Sequence, residues 1–536
     1  MSSTIYLNGN IITVDEKYPS PEAVLVRDGK IAFVGSKEEA LKLVDDETVE
    51  KDLNGATLLP GFIDAHSHIG NVAPFMSYKY LAAPPIGETT SIEMMIDQMK
   101  EFIKEKNIEP GEWVIGYGYN DAELAEKRHP NKFDLDKIST EHNVMIVHAS
   151  LHMAAINSRL IETMGYDENT PNPEGGVIAR VEGTNEPNGY LEETAMRNVY
   201  FSKPHPTMDE LVENFVQAQQ MYASYGITTA QDGATFPNID AFMRETANRD
   251  KMLIDVVAYN MIENDVNVTE YNNGYRVGGA KMLLDGSPQG KTAWLTKPYH
   301  VVPEGESKDY CGYPTITDEE AYNFCKKAIE NKIQLLTHVN GDAAMDQLLN
   351  AYDKAMEDTG LYDELRPVLI HAQTMRDDQI ERVAKCKVQM IPSYFIDHTF
   401  FWGDWHIDSV LGQERAFKIS PLKTALENGL TWTLHQDTPV LPPNMVRTIN
   451  CAVNRNTLGG RIIGEGERVS PMEAIKGITI NAAYQYHEEG EKGSISEGKI
   501  ADFVILDKNP IDVNPENIKD IKVLETIKRD KIIHKI

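Results

Sequence analysis

The chain has 536 residues, 41% hydrophobic and 25% charged, the balance of a soluble globular protein long enough for one barrel of ~250 residues or more plus an accessory domain. Its 52 basic against 82 acidic side chains leave a net charge of −30, which disfavours nucleic acid and anionic membrane as partners. No window approaches the ~18 apolar residues of a membrane span, and the start Met1-Ser2-Ser3-Thr4-Ile5-Tyr6-Leu7-Asn8 has neither the basic nor the apolar part of a signal peptide.

The first ~55 residues read as short strands and tight turns. Ile5-Tyr6-Leu7 and Ile11-Ile12-Thr13-Val14 flank Asn8-Gly9-Asn10, while Ala23 to Val26 and Ile31 to Val34 flank Arg27-Asp28-Gly29-Lys30. N-G and D-G in such positions are hairpin signals. The other end looks alike, with Phe503 to Leu506, Ile521 to Ile527 and Lys531 to Ile533. Neither end can bury a core alone, so residues 1–55 and 496–536 are expected to pair into one composite β-sandwich, with a (β/α)₈ TIM-like barrel over 56–495 between them.

The barrel opens on Pro60-Gly61-Phe62-Ile63-Asp64-Ala65-His66-Ser67-His68. In an extended chain alternate side chains share a face, so Asp64, His66 and His68 point the same way, in phase with Phe62. Two imidazoles backed by a carboxylate suit a borderline-soft cation such as Zn²⁺. Residues ~70–220 are too long for one or two βα units, and the Pro- and Gly-rich stretch from Thr170 to Gly189 marks an inserted flap around 155–205. Further strands follow at Gly226 to Asp232, Gly278 to Leu284, Ile333 to His338, Pro367 to His371 and Leu430 to Leu434, several leading into amphipathic helices such as Ala343 to Met356 and Arg376 to Ala384.

Four chemistry-bearing residues sit at the C-terminal ends of these strands, where barrel enzymes gather their active sites. Lys281 lies in an apolar run, where an ammonium needs a partner such as Asp285 or must lose its charge. A neutral lysine can add CO₂ and become a carbamate able to bridge two cations. His338 and His371 end consecutive strands. Asp437, after Leu434-His435-Gln436, can ligate a metal and accept a proton from water. Cys311, Cys325, Cys386 and Cys451 lie far apart with no C-x-x-C pair, which fits free thiols in a reducing cytoplasm.

The ordered set His66-x-His68, Lys281, His338, His371 and Asp437 resembles the amidohydrolase superfamily. The wording is closer still to its family 3, the YtcJ-like group similar to N-substituted formamide deformylases. The matching stretches are Leu58 to His68, Lys281 to Thr292, Leu434 to Val440, Ala452 to Arg455, and Lys492 to Asp502. The resemblance implies metal ligation by those six residues, one or two divalent ions (zinc first), and catalysis by Asp437 with His371 or His338 polarising a carbonyl. It implies hydrolysis of a non-peptide C–N bond in an amide, formamide or cyclic amide. Ester or lactone hydrolysis and isomerisation on the same fold are the alternatives, and an inactive scaffold or binding protein is the reading of another class. His152, His435 and Arg455 are the expected substrate contacts, His435 either touching substrate or standing behind the metal ligands on the strand face of Asp437, Arg455 through a carboxylate or else in a buried ion pair. Phe400, Phe401, Trp402 and Trp405 are expected to pack or to line an apolar pocket. The partner is a small-molecule substrate, and a homodimer stays open.

Overall fold

The structure is a computed structural model that describes residues 3–536. It divides into two compact units, one built from the chain up to Val72 together with Val216–Ile536, the other from Ala73–Phe215.

The first unit is organised by a parallel sheet of eight strands: β1 (Phe62–Ile63), β2 (Ile227–Thr235), β3 (Asp255–Met261), β4 (Tyr275–Leu283), β5 (Gln334–Val339), β6 (Val368–His371), β7 (Ile391–Phe395) and β8 (Thr433–His435). They follow one another in chain order across the sheet, the arrangement of a TIM-like domain. The inner strands are mostly buried, β6 and β7 along their whole length, which explains why they read as apolar runs. Helices supply most of the parallel crossovers, while β3 and β4 are joined by a loop. The helix expected over 343–356 spans Asp342–Thr359 and is capped by Gly341 rather than by a side chain. The next spans Asp377–Ala384.

Register carries the functional positions to one edge. Lys281 of β4 pairs with Leu336 of β5, His338 with Ile370 of β6, His371 with Tyr394 of β7, and Phe395 with His435 of β8. The His68 amide donates to the Thr438 carbonyl at 2.7 Å, which joins the segments that follow β1 and β8.

Both chain ends belong to this unit. A four-stranded sheet holds Lys30–Gly35, Ala23–Arg27, Ser3–Leu7 and Val49–Asp52. A five-stranded one holds Asn10–Ile11, Thr57–Pro60, Phe503–Leu506, Val523–Lys528 and Lys531–Lys535. Tyr6, Val24 and Val34 share a core with Leu58, Phe503 and Ile527. The D-G turn forms its hairpin, with Asp28 and Gly29 left-handed at φ 50° and 74°. The N-G signal does not. Ser3–Leu7 and Asn10–Ile11 lie in different sheets, and Gly9 is there for close approach, since a Cβ would meet the Ala56 carbonyl oxygen at 2.5 Å.

The second unit carries a six-stranded sheet in the order Gly176–Arg180, Pro187–Glu193, Met153–Ile156, Asn143–His148, Trp113–Tyr119, Lys79–Tyr80. Residues 155–205, read from the sequence as a flap, give this sheet the two strands at one end and the helix Thr194–Ser202. The helix Ile92–Lys106 starts at the Ser91 cap and buries Met95, Met99 and Phe102 in a cluster with Val114 and Ile146. Among the described residues no helix is long and apolar enough to cross a membrane.

Candidate metal centre

His66 and His68 follow β1, but the strand ends at Ile63, so the chain bends where the sequence suggested continued alternation. Both imidazoles still reach the centre: His66 Nε2 and His68 Nε2 lie 3.5 and 3.3 Å from Asp437 Oδ1. His371 Nε2 is 4.0 Å from Asp437 Oδ2. Both His371 (φ 74°) and Asp437 (φ 59°) sit in the left-handed region, where strain of about 1–2 kcal/mol is held by surrounding packing.

Lys281 Nζ sits 3.5 Å from His66 Nε2, and the His338 and His371 rings are 4.7 Å apart. Asp285, weighed as a partner for Lys281, instead accepts from the amides of Trp294, Asn340 and Gly341 and stands 3.3 Å from His338 Nδ1. Lys281 is thus buried without a carboxylate at ion-pair distance among the described residues. Burial pushes it down to about 7, against the pull of Asp437. Burial likewise drives His66 and His371 well below the imidazole range, so both rings are neutral and free to ligate. For Asp437, burial is outweighed by His68, His435 and Lys281, which hold it below the usual carboxylate value. Asp64 is pushed up to about 7 by burial.

One ligand atom from each of His66, His371 and Asp437 lies within 4.8 Å of the others, and Asp437 Oδ1 is buried without a hydrogen bond. Neutral imidazoles around a carboxylate oxygen with no donor fit a divalent transition metal, with His68, His338 and Lys281 at the margin.

Supporting contacts went unread in the sequence. Gln231 Oε1 meets His66 Nδ1 at 2.6 Å while its amide nitrogen donates to the Ala65 carbonyl and to Tyr486 Oη. A glutamine and an aspartate side by side in the buried strand containing Gln231-Asp232 were the available signal. Asp285 does comparable work behind His338.

Of the expected substrate contacts, His435 and Arg455 are both fully buried. His435 Nε2 lies 3.1 Å from His371 Nδ1, so the ring stands behind a site residue rather than facing substrate. The Arg455 guanidinium donates to the main-chain carbonyls of Ile463, Ser420 and Ile419, so it is enclosed by the chain and not open to a substrate carboxylate. His152 belongs to the second unit, where its exposed ring meets Glu193 at 2.9 Å. Of the aromatic cluster, Trp402 packs near Phe395, Phe401 lies under the Arg447 guanidinium, and Trp405 donates to the Gln289 carbonyl.

The sequence profile described as Amidohydrolase family matches residues 50–534. The chain belongs to the amidohydrolase family. This amidohydrolase is 28% identical to the Bacillus subtilis protein YtcJ over 99% of each chain. It is 25% identical to the N-substituted formamide deformylase of Arthrobacter pascens, over 98% of this chain and 97% of that one. In fold it is similar to a metal-dependent hydrolase from Pyrococcus furiosus, with a TM-score of 0.73 at 23% identity, covering 95% of this chain and 100% of that one.

Proposed function

We propose that this amidohydrolase is a metal-dependent enzyme that hydrolyses a non-peptide C–N bond in an amide, formamide or cyclic amide, in the cytoplasm. The observation that carries the reading is the convergence of His66, His371 and Asp437 at the C-terminal edge of the parallel sheet. Similarity to a formamide deformylase along nearly the whole chain supports the bond type.

His66, His68, His371 and Asp437 would hold the first cation, zinc by donor type, and His338 with a carbamate on Lys281 would complete a second position. Such a cation supplies Lewis acidity and a water acidified toward a pKa of ~7. Asp437 then accepts a proton from the attacking water and returns it to the departing nitrogen. With a single cation bound, His338, whose Nδ1 is 3.3 Å from Asp285, would instead polarise the substrate carbonyl. The carbamate follows from the buried, partly neutral Lys281: Nζ attacks CO₂, a C–N bond forms, and a proton leaves to solvent. The two terminal sheets, with their common core, would form the composite β-sandwich, whose strand Thr57–Pro60 runs directly into β1.

Elemental analysis of gently purified protein, with an assay on N-substituted formamides, acyl-amides and cyclic amides, tests the reading. One or two equivalents of a transition metal and metal-dependent amide turnover are expected. Absence of Zn, Mn, Fe, Co and Ni, with no turnover on adding them, overturns it; turnover of esters or lactones alone moves it to the other bond class. Metal content measured with and without bicarbonate tests Lys281, and a second equivalent that ignores bicarbonate and survives Lys281→Ala removes the carbamate.

A further inference from the structure

Metal-binding histidines usually donate their outer ring nitrogen to a carboxylate, a main-chain carbonyl or water. Two imidazoles here have such partners, the amide oxygen of Gln231 at 2.6 Å for His66 and the Asp285 carboxylate at 3.3 Å for His338. His371 has neither. Its Nδ1 faces another imidazole, His435 Nε2, at 3.1 Å, and His435 Nδ1 in turn faces Ser393 Oγ at 2.9 Å. His371 is 3% exposed, and His435 and Ser393 are 0% exposed. Phe395, the register partner of His435 on β7, stacks on its ring at 5.7 Å and 24° and holds its plane.

Resting on the metal-centre reading above, we propose that His435 is a positioning residue that accepts the hydrogen of the metal-competent tautomer of His371 and couples it to Ser393 through an imidazole–imidazole–hydroxyl wire. Counting hydrogens leaves one arrangement that ligates. For His371 to present a lone pair at Nε2, its Nδ1 must carry the hydrogen and donate to His435 Nε2. His435 then accepts at Nε2, so its own hydrogen sits on Nδ1 and goes to Ser393 Oγ. In the reversed wire Ser393 donates to His435, His435 donates to His371, and the His371 hydrogen points from Nε2 at the cation position, which removes the ligand. A carboxylate or carbonyl in place of His435 would allow only the first arrangement. A neutral imidazole allows both, so the choice is made jointly by the cation and by the far end of the wire.

Zinc and cobalt affinities of the full-length protein, stripped with a chelator and titrated against a chromophoric competitor, test this. His435→Leu keeps bulk but cannot accept, and should weaken Zn²⁺ binding by about 10–100-fold. His435→Gln offers an amide oxygen, the acceptor that Gln231 already gives His66, and should bind close to the wild type. Ser393→Ala should fall between the two. Leucine at 435 binding zinc as tightly as histidine overturns the proposal, and so does glutamine losing as much as leucine, because packing alone then accounts for the residue. Should the leucine variant not fold by circular dichroism, Ser393→Ala decides: weakened binding supports the wire, unchanged binding overturns it. A wild-type chain that binds neither metal defeats the metal-centre reading itself, whereas wild-type binding with indifferent variants defeats only the wire.

Discussion

Asp437 faces three imidazoles at 3.3 to 4.0 Å, and its Oδ1 makes no hydrogen bond in the chain. Asparagine keeps that shape but cannot shuttle a proton. Asp437→Asn should lower kcat by ~10²–10⁴ at unchanged metal content, measured on the best amide substrate. Retention of wild-type kcat would make the residue structural. Arg455 illustrates the opposite kind of buried charge. Its guanidinium donates to three main-chain carbonyls, so Arg455→Met should cost at least ~2 kcal/mol in chemical unfolding. The folded fraction should keep its KM. A large rise in KM with unchanged stability would restore Arg455 as a substrate contact.

At the scale of elements, β3 is tied to the C-terminal sheet by a buried ionic cluster. Asp255, at the start of β3, accepts from Lys492 at 2.6 Å and Lys528 at 2.7 Å. Lys528 also reaches Asp502 at 2.7 Å, and Lys492 reaches Glu488 at 2.8 Å. Burial alone would raise the Asp255 carboxyl, but the two ammonium groups outweigh it and hold it well below the carboxylate range. A depressed folded-state pKa adds stability above the unfolded value of ~3.9 and loses it as pH falls toward the folded one. Unfolding midpoints should therefore drop below about pH 4. Asp255→Asn should cost about 1–3 kcal/mol near neutrality, because Lys492 and Lys528 each lose one buried carboxylate while keeping Glu488 and Asp502, and should flatten that acid limb. An acid limb identical to the wild type would show that other carboxylates set it.

For the whole molecule, the metal is expected to add to stability because the folded centre binds it and the unfolded chain does not. Chelation should lower the thermal midpoint, and Zn²⁺ at 100 times its dissociation constant should restore about 2.7 kcal/mol. A midpoint indifferent to chelation, in protein shown to have lost its metal, would place the ion outside the folding equilibrium. Membership of the amidohydrolase family from residue 50 to 534 fits this long-range construction, in which segments far apart in the chain meet at one centre.

Much of this was legible in the chain itself. The positions of His338 and His371 follow from apolar runs that stop at a polar residue, because a buried parallel strand can expose chemistry only at its ends, while Lys281 stands out as a charge inside such a run and Asp437 as the carboxylate just past one. The D-G hairpin was legible because its turn is local. What packs behind a residue was not. Gln231, Asp285 and Ser393 support the centre across 165, 53 and 42 positions of chain, distances that no local pattern encodes. His435 and Arg455 carry the residue types of substrate contacts, yet tertiary packing buries both and spends their donors on neighbours. The N-G signal failed for the same reason: whether a glycine turns a hairpin or admits a close neighbour depends on which segment, here Ala56, comes against it. Sequence determined which groups are available and where strands stop, since both depend on local chemistry. Only the tertiary structure decided which groups face the centre, because that depends on which strands become neighbours.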